Sequence, residues 1–222
     1  MTEMGKFKFL IIDDFMPGSF VNGLLEYSLE HQGSFVPTQV KRKGDYHTSY
    51  DKRMSQACSI GLGPFEEAFS GAIDVHLAQF FRALGVQPFA IARTDIELVA
   101  HGEGGMFAPH LDTATEANRH GDSTDRVLSA VYYFHRMPKH FSGGELAIYP
   151  IRNDAAIEVL QPVANRLAVF PSFAPHEVRK ILCPSKDFAD SRFFDQLLAS
   201  PGARRRVSLR RNNAGNPPGR SS

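Results

Sequence analysis

The chain has 222 residues, 42% hydrophobic and 11% aromatic, with a formal net charge of +1. This is enough apolar material for one sizeable core, and no apolar run approaches the length of a membrane span. The near-neutral balance conceals an asymmetry: six of the 25 basic residues and no acid follow Asp195, so the preceding body is about five charges negative.

These features predict a single domain over residues 1–200 and a basic tail over 201–222. The tail segment RRRVSLRR places five arginines in eight residues. Such a cluster attracts phosphates, but without interleaved aromatics or a binding module the simpler reading is a solvated arm, so nucleic acid is not an expected partner. Cys58 and Cys183 lie far apart without a CxxC pattern, which argues against a disulfide framework or structural zinc. With no apolar leader in KFKFLIIDDF, the expectation is a soluble cytoplasmic protein without membrane contact. Oligomeric state is not legible.

In chain order, two helices come first. After Pro17-Gly18, the segment Ser19 to His31 sets Phe20, Leu24 and Tyr27 near one face. From Pro64, the residues Phe65, Phe69, Ile73, Leu77, Phe80 and Leu84 recur every three or four positions until Gly85. The two helices fall within about 17–85. Between them Lys41 to Gly63 is polar and irregular, either a surface connection or a substrate loop.

From Ile91 the texture changes to short β-like runs: IARTDIELVAH, DRVLSAVYYFH, ELAIYPI, RLAVFP, HEVRKIL and SRFFDQLL. The expected fold is mainly β with supporting α-helices, its core over about 91–200 a sandwich or jelly roll.

An iron site for oxygen activation needs two imidazoles and one carboxylate on one side of the metal. His-x-acid pairs supply two such ligands where i and i+2 project alike. Three occur: His101-x-Glu103, His110-x-Asp112 and His120-x-Asp122. The first flanks a glycine in HGEGG, where the chain turns, and the last lies in a polar stretch without an adjacent strand. His110 ends a strand-like approach with Phe107 and Leu111 to shield a site. His176, directly after the apolar run RLAVFP, opens a following strand and can bring the third ligand.

The ordered set LVAHGEGGMFAPHLDT, RVLSAVYYF, FSGGELAIYP, RLAVFPSFAPHEV and DFADSRF resembles the prolyl-4-hydroxylase-like branch of the iron(II)/2-oxoglutarate dioxygenases. The resemblance implies a double-stranded β-helix of jelly-roll, cupin-like form. It also implies Fe(2+), 2-oxoglutarate and O2 as cofactors, with ascorbate as a possible support. His110, Asp112 and His176 match the iron triad and catalytic centre. Arg192 matches the residue that takes the distal carboxylate of 2-oxoglutarate, and Tyr133 a tyrosine that bonds the same group. His101 stands where many relatives carry a tyrosine touching the cosubstrate.

Strand parity agrees: Ser129, Val131 and Tyr133 share one face, and Arg192, Phe194 and Gln196 share another, whereas Arg179 points opposite to His176. Other readings stay open. Tyr133 can be an ordinary inward aromatic, Arg192 can pair with Asp190 or Asp195, and Gly143-Gly144 can be only a hairpin turn. The sixteen residues from His176 to Arg192 imply an inserted turn around PSKDF, and tryptophan, frequent in the last strand of relatives, is absent.

The implied activity is hydroxylation of an unactivated C–H bond with release of succinate and CO2. Retention of Asp112 favours it over halogenation. The expected partner is a peptide or small-molecule substrate, such as a peptidyl or free proline, contacted from the loops Lys41 to Gly63 and Arg119 to Arg126. The alternatives are a hydroxylase of a small secondary metabolite and a non-catalytic jelly-roll metal- or ligand-binding protein. A nucleic-acid demethylase fits poorly with the acidic body.

Overall fold

The structure, a computed structural model, describes residues 5–42, 45–113, 126–152 and 156–201. The His120/Asp122 pair, nearly all of the loop from Arg119 to Arg126, and the tail beyond Pro201 lie outside these residues. Among the described residues no helix is long and apolar enough to cross a membrane.

The chain runs β1 (Leu10–Ile12), α1 (Gly18–Glu30), β2 (Phe35–Pro37), β3 (Val40–Arg42), β4 (Asp45–His47), β5 (Arg53–Met54), β6 (Gln56–Cys58) and α2 (Glu66–Leu84). There follow β7 (Ile91–His101), β8 (Met106–His110), β9 (Leu128–Phe134), β10 (Ser142–Gly143) and β11 (Leu146–Ile148). The last elements are β12 (Glu158–Leu160), β13 (Arg166–Pro171), β14 (His176–Val178), β15 (Ile181–Leu182) and β16 (Arg192–Pro201).

Both helices form where the apolar spacing places them. α1 buries Phe20, Leu24 and Tyr27. α2 buries Phe69, Ile73, Phe80, Phe81 and Leu84, carries Glu66 and Glu67 in its first turn, and ends on Gly85 in the left-handed conformation. Acids near the N-terminus and a left-handed glycine just past the end both suit the unpaired backbone groups there.

Two antiparallel sheets form a jelly roll. The larger has the order β1-β13-β9-β16-β7-β6-β2 and the smaller β12-β11-β14-β8-β5. β9 shows why the larger sheet sits in the middle of the molecule. Every one of its residues is buried. Leu128, Ala130, Tyr132 and Phe134 join the helix-facing core, whereas Val131 and Tyr133 join the core between the sheets with Leu146, Phe170 and Phe194. A strand covered on both faces reads as a continuous apolar run.

The polar segment Lys41 to Gly63 departs from its irregular expectation. It contributes β3, β4, β5 and β6; β5 forms an edge of the smaller sheet on β8, and β6 joins the larger sheet between β7 and β2. Backbone pairing rather than apolar periodicity recruits these short strands, so their sequence carries no alternation to read.

The Gly143-Gly144 step is more than a hairpin turn. Both glycines have positive φ, and a Cβ on Gly143 would collide with the Lys180 carbonyl oxygen. A Cβ on Gly144 would lie 2.8 Å from Ile181 Cγ1 and 3.0 Å from Arg192 Cδ. The pair therefore lets β10 approach β15 and leaves room for the Arg192 side chain.

Candidate active site

His110 is the last residue of β8 and His176 the first of β14, and the two are directly opposed in the antiparallel ladder of the smaller sheet. Asp112 lies beyond the strand in a bend. Its backbone N–H donates to the Ser172 carbonyl (3.0 Å), as does that of Thr113 (3.2 Å). The i, i+2 argument thus brings the pair close, but it is this bend, tied to the end of β13, that turns the carboxylate inward.

Ligand-type atoms of His110, Asp112 and His176 all lie within 4.8 Å of one another. His110 Nε2 is 3.5 Å from Asp112 Oδ1, and His176 Nε2 is 3.5 Å from Asp112 Oδ2. Each imidazole places Nδ1 2.9 Å from the carbonyl two residues earlier, Ala108 for His110 and Ala174 for His176. A carbonyl only accepts, so Nδ1 carries the proton and a neutral ring turns a bare Nε2 lone pair toward Asp112. Burial favours that neutral form for His176 by pushing its pKa down. Two lone pairs and a carboxylate then face one another with no proton between them, an arrangement that a cation completes.

The Asp112 carboxyl feels burial, which raises its pKa. His110 and His176 would draw it down only if protonated toward it, whereas the hydrogen bond from Ser129 lowers it with the imidazoles neutral. Ser129 Oγ donates to Asp112 Oδ2 at 2.7 Å and lies 2.9 Å from Ser172 Oγ. Because the Ser129 proton is used on the carboxylate, Ser172 must be the donor in the second bond. Phe107 stacks on the His110 ring with centroids 3.5 Å apart, and Arg53 lies over Phe107 at 5.0 Å.

Deeper between the sheets, Arg192 is fully buried. Its guanidinium carbon is 4.7 Å from both the Tyr133 and Phe194 ring centroids. Its Nη1 donates to His101 Nδ1 at 2.9 Å, while Nε, Nη2, the Tyr133 hydroxyl and His101 Nε2 are buried without a hydrogen-bond partner among the described residues. The acids proposed for it in the sequence are engaged elsewhere or turned away: Asp190 pairs with Arg136, and Asp195 projects from the opposite face of β16. Burial lowers the Arg192 pKa and raises that of Tyr133. A desolvated guanidinium between aromatic rings, with spare donors and no carboxylate hydrogen-bonded to it among the described residues, suits an anion brought by a ligand.

His110, His176, Tyr133, Arg192 and Gln196 line one cavity with Phe107, Val131, Leu146, Val178 and Phe194. His101-x-Glu103 does not act as a pair: His101 faces Arg192, whereas Glu103 accepts from the Cys183 backbone N–H. The sequence reading missed the roles of Ser129, Ser172 and Gln196 around Asp112. For Ser129 and Gln196 the signal was their shared parity with Tyr133 and Arg192. Ser172 had none.

An antiparallel jelly roll with two imidazoles and a carboxylate facing one another, and a buried arginine deeper between the sheets, agrees with the resemblance to iron(II)/2-oxoglutarate dioxygenases carried by the sequence motifs. Residues 96–193 match the family model of the 2OG-Fe(II) oxygenase superfamily. The chain is 34% identical over 124 residues to an uncharacterized PKHD-type hydroxylase of Synechocystis sp., a match covering 53% of this chain and 39% of that protein. Residues 96–193 are thus similar to a 2OG-Fe(II) oxygenase domain, and the chain spans well under half the length of the curated relative it matches. The matched model describes oxygenases that use Fe(II) and 2-oxoglutarate, in line with the Fe(2+), 2-oxoglutarate and O2 that the sequence resemblance implies.

Solved structures share the fold. A Pseudomonas putida prolyl-4-hydroxylase superposes with a TM-score of 0.63 at 20% identity, covering 88% of this chain and 93% of that one. A Trichoplax adhaerens prolyl hydroxylase, in complex with a hypoxia-inducible-factor peptide, gives 0.65 at 20% identity over 87% and 83%. HygX of Streptomyces hygroscopicus, with nickel and 2-oxoglutarate bound, gives 0.55 at 10% identity over 89% and 84%.

Proposed function

We propose that this protein is an iron(II)- and 2-oxoglutarate-dependent hydroxylase. In this reading His110, Asp112 and His176 hold the metal, and Arg192 with Tyr133 takes the distal carboxylate of 2-oxoglutarate. The observation that carries the proposal is the buried guanidinium, with spare donors, in the same cavity as His110 and His176, two of three mutually facing acceptor groups. The metal and cosubstrate together supply oxidation of an unactivated C–H bond by O2, with 2-oxoglutarate leaving as succinate and CO2.

The chain's own residues orient and shield. Ala108 and Ala174 carbonyls fix the two imidazole tautomers, and the serine pair Ser129 and Ser172 supports the carboxylate. Val131, Leu146, Val178 and Phe194 give the cosubstrate cavity apolar walls that exclude water. His101, at the place where many relatives carry a tyrosine touching the cosubstrate, steadies the guanidinium.

A peptidyl or free amino acid such as proline is the substrate class favoured here. The likeness to two prolyl hydroxylases, one solved with a peptide, supports it.

The test is succinate formation by purified protein with iron(II), ascorbate and 2-oxoglutarate, with and without proline-containing peptides and free amino acids. Succinate should form in the wild type and be lost in His110→Ala. Arg192→Ala should raise the 2-oxoglutarate requirement strongly. Absence of turnover under every condition, with intact metal and 2-oxoglutarate binding, would favour a non-catalytic ligand-binding protein instead.

A further inference from the structure

Asp112 is the one member of the triad outside regular structure, and the side chains that donate hydrogen bonds to its carboxylate come from the larger sheet. Ser129 on β9 bonds Oδ2. The second contact is from Gln196, at the centre of β16, where it pairs across the ladder with Glu97 on β7 and Val131 on β9. Gln196 Nε2 lies 3.3 Å from both Asp112 Oδ1 and Oδ2.

The amide nitrogen faces Asp112 as the donor, and the amide carbonyl oxygen turns away. Each contact is long for an N–H···O bond, so the two count as one bifurcated bond astride the carboxylate. Ser129 alone holds a single oxygen and leaves the carboxylate free to swing about that point. A second donor spanning both oxygens removes the swing.

We infer that Gln196 is a positioning residue, which fixes the orientation of the Asp112 carboxylate and thereby sets the metal affinity of the His110, Asp112 and His176 site. The inference rests on the proposed metal centre. Partners that orient a ligating carboxylate typically change metal affinity about 10- to 100-fold when removed. The geometry also makes the contact a bridge, because Asp112 follows a strand of the smaller sheet and Gln196 belongs to the larger one.

The experiment is Co(II) binding by the full chain, followed by competition with a chromophoric chelator and by the visible ligand-field spectrum. Wild type, Gln196→Leu, Gln196→Asn and His110→Ala are compared. Gln196→Leu keeps the volume and removes the donor; Gln196→Asn keeps an amide in the cavity but loses one methylene of reach. Both should weaken Co(II) binding about 10-fold or more and alter the spectrum, with the metal-free melting temperature near that of the wild type.

Wild-type affinity and spectrum in Gln196→Leu would overturn the inference. Should that variant fold poorly, Gln196→Asn decides, and wild-type behaviour there overturns it equally. A wild-type protein without Co(II) affinity overturns the metal centre itself. Wild-type binding that His110→Ala abolishes and both Gln196 variants leave unchanged overturns only the role of Gln196.

Discussion

His101 Nδ1 accepts a hydrogen bond from Arg192 Nη1 at 2.9 Å, both residues fully buried and directly paired across β7 and β16. An arginine only donates, so the proton of neutral His101 sits on Nε2. Burial, then the charges of Arg192 and Arg53, push the His101 pKa well below its usual value and keep the ring neutral. The imidazole therefore acts as a fixed acceptor that aims the guanidinium.

Replacing His101 with Phe keeps the ring volume and strands a buried cationic donor. Hydrogen bonds to charged groups contribute about 1.5–3 kcal/mol. The 2-oxoglutarate KM should rise about tenfold or more, with a smaller change in kcat, as measured by succinate formation against 2-oxoglutarate concentration. An unchanged KM would show that Arg192 is held well enough by the rings of Tyr133 and Phe194.

Metal should stabilise the fold through the triad. Saturation at a hundred times the dissociation constant contributes about 2.7 kcal/mol. For a chain of this size that corresponds to a rise in melting temperature of roughly 5–10 °C. Chelator-treated protein titrated with Co(II) or Mn(II) should show the shift, and His176→Ala should not. A shift of equal size in the variant would place the binding elsewhere.

Asp195 predicts a pH dependence of stability. Its carboxyl is fully buried, both oxygens lack a partner, and burial holds its pKa well above the ordinary value. The folded state keeps the proton where the unfolded chain has released it. Its contribution is therefore whole below the unfolded pKa of about 4 and declines as pH rises above that, at up to about 1.4 kcal/mol per pH unit until the folded group itself ionises. Asp195→Asn lacks this slope. Urea unfolding of the two proteins at pH 5 and pH 7 should show the variant gaining relative stability at the higher pH; parallel behaviour would mean that Asp195 is charged and paired.

Gly144→Ala should both destabilise the fold and weaken 2-oxoglutarate binding. The new methyl group meets Ile181 and the Arg192 side chain at a backbone φ of +75°. Strain at such a site costs on the order of 1–3 kcal/mol. Thermal melting and the 2-oxoglutarate KM report the two effects, and wild-type values in both would show that the glycine is dispensable.

Periodicity and local chemistry determined much of this protein from the sequence. Apolar spacing of three or four made Phe69, Ile73 and Phe80 a helix face, and the run from Leu128 to Phe134 made a strand buried on both sides. Alternation put Tyr133 with Ser129, and Arg192 with Gln196, because side-chain direction along a strand depends only on residue number. The ordered motifs around His110, Asp112 and His176 pointed to the triad and to Arg192. Tertiary structure decided which faces oppose each other. That depends on register between segments far apart in the chain, which no local pattern encodes. Only there does Gln196 meet Asp112 from the other sheet, Ser172 reach Ser129 from the turn after β13, Glu103 leave its histidine for the Cys183 backbone, and Arg53 come to rest over Phe107.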